Sequence, residues 1–261
     1  KVASKFSPLL KEPNLVKVIL VTEKDKEWVK KDLPNIVPAE QYGGYIQNLD
    51  YYSSRNDFYS RAGTGGGIAY YLPESGYAYY ISHTSTLATL ETYWPEVVPH
   101  EFAHILQGLL TNGHSDRFPN GHPDAKWNGH LIEGSANTLG MALGFETLGW
   151  YSDEMDRLLK RDNKNSRNWR KMNNLDDAVA FIKAIESRDS EWSEGFSYSA
   201  GQFVWEYFIG KYGVEKYLEF LRNFPSTANF NENLKTIIGV DREAFYKEAG
   251  AYLLKNWKRL S

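Results

Sequence analysis

His100 and His104 lie four residues apart, with Glu101 directly after the first, in the run Pro99-His100-Glu101-Phe102-Ala103-His104-Ile105-Leu106-Gln107. On a helix of about 3.6 residues per turn, positions four apart sit one above the other on a single face. Both imidazoles can then point at one ion. Glu101 sits where a carboxylate reaches a metal-bound water without joining the coordination shell, the arrangement for water activation at a metal. Two histidines leave such a site short of a ligand, because catalytic zinc takes three protein ligands and keeps a fourth position open.

The rest of the composition limits who can complete the site. There is no cysteine, which removes thiolate ligands, disulfides and thiol catalysis together. Zinc, if bound, is held by histidine and carboxylate alone. Net charge is -3 and pI about 6.1, so no basic field exists to hold nucleic acid. No run of about 18 apolar residues is present, so no membrane span is expected. With 261 residues the chain can bury a sizeable core. It therefore needs no metal as a structural staple, and a bound ion reads as functional. Lys1 in place of Met fits a mature or trimmed form. Compartment stays open, leaning to a secreted or periplasmic setting, and the oligomeric state is not legible.

Several elements must position the motif. Leu15 to Val21 is a β-branched run that reads as a buried strand, followed by a short helix capped at Thr22 and ending near Leu33. Residues 34 to 62 are tyrosine-rich and read as strands and turns. Gly63 to Leu72 and Tyr77 to Ile81 flank Pro73-Glu74-Ser75-Gly76 and read as a hairpin. The glycines before its first strand lack the Gly-Lys-Ser/Thr and helix of a phosphate loop. They suit an edge strand that another backbone can approach, with Gly66, Gly67, Ile68 and Ala69 as the substrate-pairing stretch.

The motif helix is expected to start near Pro95 to Pro99 and to end at Asn112-Gly113, with Phe102, Ile105, Leu106, Leu109 and Leu110 as its apolar stripe. A polar loop over 113 to 127 carries His114 and His122. A second helix follows from Asn128 to about Leu148, whose Gly134, Ser135, Ala136, Gly140 and Gly144 let another helix come close. Helices then fill about 152–161, 175–187, 195–212, 214–223, 230–238 and 241–258. The expected fold is α+β, with a strand-rich lobe over 1–94, a helical lobe over 95–261, and the motif helix at the seam.

Two further stretches carry a family resemblance. Trp127-Asn128-Gly129-His130-Leu131-Ile132-Glu133-Gly134-Ser135-Ala136 resembles the Trp-x-x-Glu-Gly-x-Ala segment of gluzincin-type zinc metallopeptidases, with the tryptophan displaced upstream. Ser197-Tyr198-Ser199-Ala200-Gly201-Gln202-Phe203-Val204-Trp205 resembles the Tyr-x-x-Gly-x-Phe-Val segment of the same peptidase clan. The likeness covers residues 95 to 260 well and the first third in outline. It implies a zincin-like fold and Glu133 as third ligand beside His100 and His104, with His114, His122 and His130 as rivals. It also implies Glu101 as general base and Tyr198 as donor to the oxyanion. Metzincins are excluded, because positions 107 and 110 hold Gln107 and Leu110 where that class has glycine and histidine. In thermolysin-like enzymes an aspartate four residues past the glutamate orients a ligand histidine, and the matching residue is the neutral Asn137. No carboxylate lies between Gly63 and Leu72 to hold a free amine, which favours internal cleavage over aminopeptidase action. The expectation is zinc-dependent hydrolysis of a peptide or protein substrate, probed against two alternatives. One is a catalytically quiet peptidase-like fold that binds a protein or glycan, and the other is hydrolysis of a non-peptide bond.

Overall fold

The computed structural model describes residues 15–21, 25–35, 66–72, 77–83, 97–111, 129–165, 172–187, 191–227 and 229–260. Three strands occur among them, β1 (Leu15–Val21), β2 (Gly66–Leu72) and β3 (Tyr77–His83). They form one sheet in the order β1-β3-β2. β1 runs parallel to β3, while β2 pairs antiparallel with it, Gly66 opposite His83 and Leu72 opposite Tyr77. The expected hairpin is therefore present, and β2 is an edge strand among the described residues.

The rest of the described chain is helical: α1 (Lys26–Asp32), α2 (Val97–Thr111), α3 (Ser135–Gly144), α4 (Leu148–Asn165), α5 (Leu175–Ser187), α6 (Glu191–Ser199), α7 (Gly201–Tyr212), α8 (Val214–Asn223), α9 (Phe230–Ile238) and α10 (Arg242–Leu260). A five-residue π segment, His130–Gly134, leads into α3.

This corrects the expected fold class. The chain is not a strand-rich α+β fold, because helices make up the great majority of its described structure and one small sheet is all the strand content there. The physical reason is where the core lies: the largest buried side chains, among them Trp205, Tyr217, Phe220, Phe230, Phe245 and Tyr246, sit on α7 to α10, and the sheet contributes only three seven-residue strands. The tyrosine-rich stretch 34–62, expected as strands and turns, lies outside the described residues except for its first two positions.

One continuous apolar core runs from Val98 to Trp257. Its centre is Trp205, whose ring lies 5.1 to 6.3 Å from those of Phe208, Tyr217, Phe220 and Phe245. Burying a side chain of this size is worth about 1.5–3 kcal/mol, so α7 is the element the others are packed around. α8 adds a strongly one-sided helix with Tyr217, Leu218, Phe220 and Leu221 buried. Asn229 caps α9 by accepting from Glu232 N, and Gly239 ends it in the left-handed region at φ 73°.

The motif helix forms as its sequence requires. Val98, Phe102, Ile105 and Leu106 are buried, and Thr111 Oγ1 donates back to Gln107 O at 2.9 Å in the last turn. β2 packs alongside this helix. α2 also meets α3 backbone to backbone. A Cβ placed on Gly140 would fall 2.7 Å from His100 N and 2.8 Å from Pro99 C. The small residues expected to admit a neighbouring helix thus admit the motif helix itself. A second close crossing pairs Gly134 with Gly201, at the start of α7.

Candidate metal centre

α2 supplies His100, Glu101 and His104, and the π segment supplies Glu133. All four are buried, between 7% and 8% exposed. His100 Nε2 and His104 Nε2 lie 3.0 Å apart. Glu133 Oε2 is 3.4 Å from the first and 3.2 Å from the second. Around a tetrahedral ion with bonds of about 2.0–2.1 Å, neighbouring donor atoms are about 3.3 Å apart. The three side chains thus already have the spacing of three corners of such a coordination sphere. They form a buried group that can hold a metal ion. A set of two ring nitrogens and one carboxylate suits a transition metal, whereas calcium and magnesium take oxygen ligands.

Electrostatics bind the group together. Burial alone would raise the Glu133 carboxyl, but hydrogen bonding to His100 and His104 and their charge hold it well below the usual carboxylate range. Burial would lower His104, yet Glu133, Glu101 and Gln107 together push it up to about 9. The contact between ring and carboxylate thus favours opposite charges on the two. Glu101 differs. Burial pushes its carboxyl up, and Glu133 adds to that, with His100 and His104 only partly offsetting them. A carboxyl raised in this way is poised to accept and return a proton.

No family model, curated protein or solved structure matches the chain.

Tyr198, at the end of α6, comes to the site. Its ring stacks on His100 with centroids 5.8 Å apart and planes at 28°, and it is half-buried. Asn137 has a different partner from the one expected. Its amide Nδ2 donates to Tyr198 O at 3.2 Å, which ties α3 to the end of α6. The side chain that accepts from a ligand ring is Gln107, whose Oε1 lies 2.8 Å from His104 Nδ1. Sequence reasoning passed over Gln107, although its position one turn beyond His104 on the same face was a usable signal.

His130 is removed from the rival ligands. It is fully buried, accepts from Trp205 Nε1 at 3.2 Å through Nδ1, and donates from Nε2 to Tyr246 OH at 2.8 Å. With both nitrogens used and the rings of Trp205, Phe230 and Tyr246 around it, it is a neutral core histidine. Burial, reinforced by the charge of Arg242, lowers it to about 3. His114 and His122 lie outside the described residues, and so do the side chains of Gly66 to Ala69, whose backbone is the β2 edge.

Among the described residues no helix is long and apolar enough to cross a membrane.

Proposed function

We propose that this chain is a zinc-dependent peptidase of the gluzincin type, with His100, His104 and Glu133 as its metal ligands. The observation that carries the reading is the trio of donor atoms, 3.0 to 3.4 Å apart, with a buried carboxylate beside them. Zinc held there would supply Lewis acidity, lowering the pKa of a coordinated water towards about 7 and polarising a substrate carbonyl.

The chain's own residues do the rest. Glu101 takes a proton from water as its oxygen bonds to the peptide carbon. It then returns that proton to the departing nitrogen as the C–N bond breaks, so one water is consumed per bond cleaved. Tyr198, lying against His100, donates its hydroxyl to the oxygen that gains charge, a contribution of about 3 kcal/mol in comparable sites. The β2 edge beside α2 offers main-chain groups to an extended substrate, which would pair as an added strand. With no carboxylate between Gly66 and Leu72, that edge gives a free amine nothing to pair with, so the cleavage proposed is internal.

The test separates the two glutamates. Zinc analysis of the purified chain, with a peptide-library digest, should find one zinc and internal cleavage. Glu101→Gln should keep the zinc and lose turnover by about 10²–10⁴-fold, the span of general acid–base catalysis. Glu133→Gln should lose zinc. A Glu101→Gln variant that cleaves at the wild-type rate, or a wild-type chain that takes up no zinc, would sink the proposal.

A further inference from the structure

Behind the ligand histidine runs a line of hydrogen bonds that the proposed chemistry does not itself use. His104 Nε2 faces His100 and Glu133, so an ion there needs its lone pair, and the ring hydrogen must sit on Nδ1. Nδ1 meets Gln107 Oε1 at 2.8 Å. The orientation of the Gln107 amide follows from its other end, where Nε2 donates to Ile132 O and to Ser135 Oγ, each at 2.9 Å. Turned over, the amide would set oxygen against the Ile132 carbonyl and its NH₂ against the His104 N–H. Ser135 Oγ donates to Leu131 O and lies 2.9 Å from Tyr217 OH on α8. Gln107 is 5% exposed, and Ser135 and Tyr217 are fully buried. No water need be invoked to satisfy the line.

The anchors are on the segment that carries the third ligand. Ile132 directly precedes Glu133, and Ser135 follows two residues later. Gln107 therefore spans from the histidine helix to the glutamate segment, and each of its bonds fixes one relative to the other. His100 has no such support, since its Nδ1 has no hydrogen-bond partner among the described residues.

We infer that Gln107 is a positioning residue. It holds His104 as the Nδ1–H tautomer and clamps His104 and Glu133 at the separation an ion requires, with Ser135 and Tyr217 as its footing. The inference rests on the metal-site reading above. It adds that a neutral amide, rather than a carboxylate, does the orienting.

Gln107→Met keeps the length of the side chain and removes every one of these bonds. Cobalt(II), which reports its coordination through a visible spectrum, is titrated into wild type and variant in competition with a chelator, with folding followed by circular dichroism. The variant should bind Co²⁺ about 10–100-fold more weakly, the usual effect of losing a ligand's hydrogen-bond partner, and its visible band should change. Gln107→Glu retains an acceptor for Nδ1 and should regain part of the affinity, although its carboxylate faces the Ile132 carbonyl and should lower the melting temperature. A merely structural role would lower both melting temperatures with affinity and spectrum unchanged, and that result overturns the inference. If Gln107→Met does not fold, Ser135→Ala decides: it should weaken Co²⁺ binding by a smaller factor, and unchanged affinity overturns the clamp. Wild type that takes up no Co²⁺ defeats the metal-site reading and this inference with it, whereas binding that Gln107→Met and Ser135→Ala leave untouched defeats the inference alone.

Discussion

Gly140→Ala should loosen the His100–His104–Glu133 group without touching any of its side chains. The added Cβ would sit 2.7 Å from His100 N and 2.8 Å from His100 Cα, and ordinary contact begins near 3.4 Å. Both neighbours are backbone, so no flexible side chain can swing aside, and α2 and α3 must separate by about 0.7 Å. Glu133 lies on the segment continuous with α3, and His100 lies on α2. The same movement therefore widens the 3.4 Å gap between His100 Nε2 and Glu133 Oε2. Overpacking of this kind costs about 1–3 kcal/mol, which for a chain of this size lowers the melting temperature by roughly 2–4 °C per kcal/mol. A ligand set loosened by that distance should bind zinc at least about tenfold more weakly, or about 1.4 kcal/mol. Chelator competition and thermal melting measure both quantities. Gly149→Ala is the control, because its Cβ would meet nothing closer than Thr147 Oγ1 at 3.8 Å. A Gly140→Ala protein with wild-type zinc affinity and a melting temperature within about a degree of wild type would refute the argument from close approach.

Two other outcomes are expected. On the proposed peptidase reading, acetylating the N-terminus of a cleaved peptide should leave its rate nearly unchanged, and a strong preference for the free amine would replace internal cleavage by aminopeptidase action. His130 should make stability fall with acid. Its pKa is about 3 in the fold and about 6.5 unfolded, so below pH 6.5 the unfolded chain takes up a proton that the folded chain refuses. The contribution is intact above pH 6.5 and is lost as pH drops towards 3, at about 1.4 kcal/mol per unit, or roughly 2 kcal/mol by pH 5. Urea unfolding of wild type and His130→Asn at several pH values tests this, and equal slopes in the two proteins would disprove it.

The parts of the site legible from sequence were those encoded by local spacing. His100, Glu101 and His104 share a helix because four residues make about one turn, and the apolar stripe of α2 is buried as periodicity requires. Helices α5, α8 and α9 fall at their expected bounds for the same reason. Glycine at 134 and 140 signalled close approach, though not to which backbone. What sequence spacing does not encode is a partner far along the chain. Gln107 finds Ser135 twenty-eight residues away, and Ser135 finds Tyr217 across a further eighty-two. Nothing in the spacing removes His130 as a rival ligand; Trp205 and Tyr246, which occupy both its nitrogens, do. β1, β2 and β3 fall where strands are expected, and the tyrosine-rich stretch before β2 lies outside the described residues except for positions 34 and 35, so it is the weight of the helices that overturns the strand-rich class. Helix breaks were missed likewise: the run expected to Leu148 stops at Gly144, and Ala200 divides α6 from α7.

The π segment has a consequence for transplanting this centre. His130 is sunk among the aromatic rings of the core, while Glu133, three residues on, faces the two ligand histidines. On a regular α-helix, residues three apart are neighbours on one face. A turn closed by i→i+5 bonds is wider and swings the second side chain away from the first. The segment therefore acts as a phase shifter of one residue, letting a single stretch of chain keep time with the core on one side and the two histidines on the other. A graft of these three ligands onto two ideal helices would inherit their spacing and lose that offset. Either the carboxylate would turn from the histidines or the helix would turn from its core, so the surplus residue has to travel with the site.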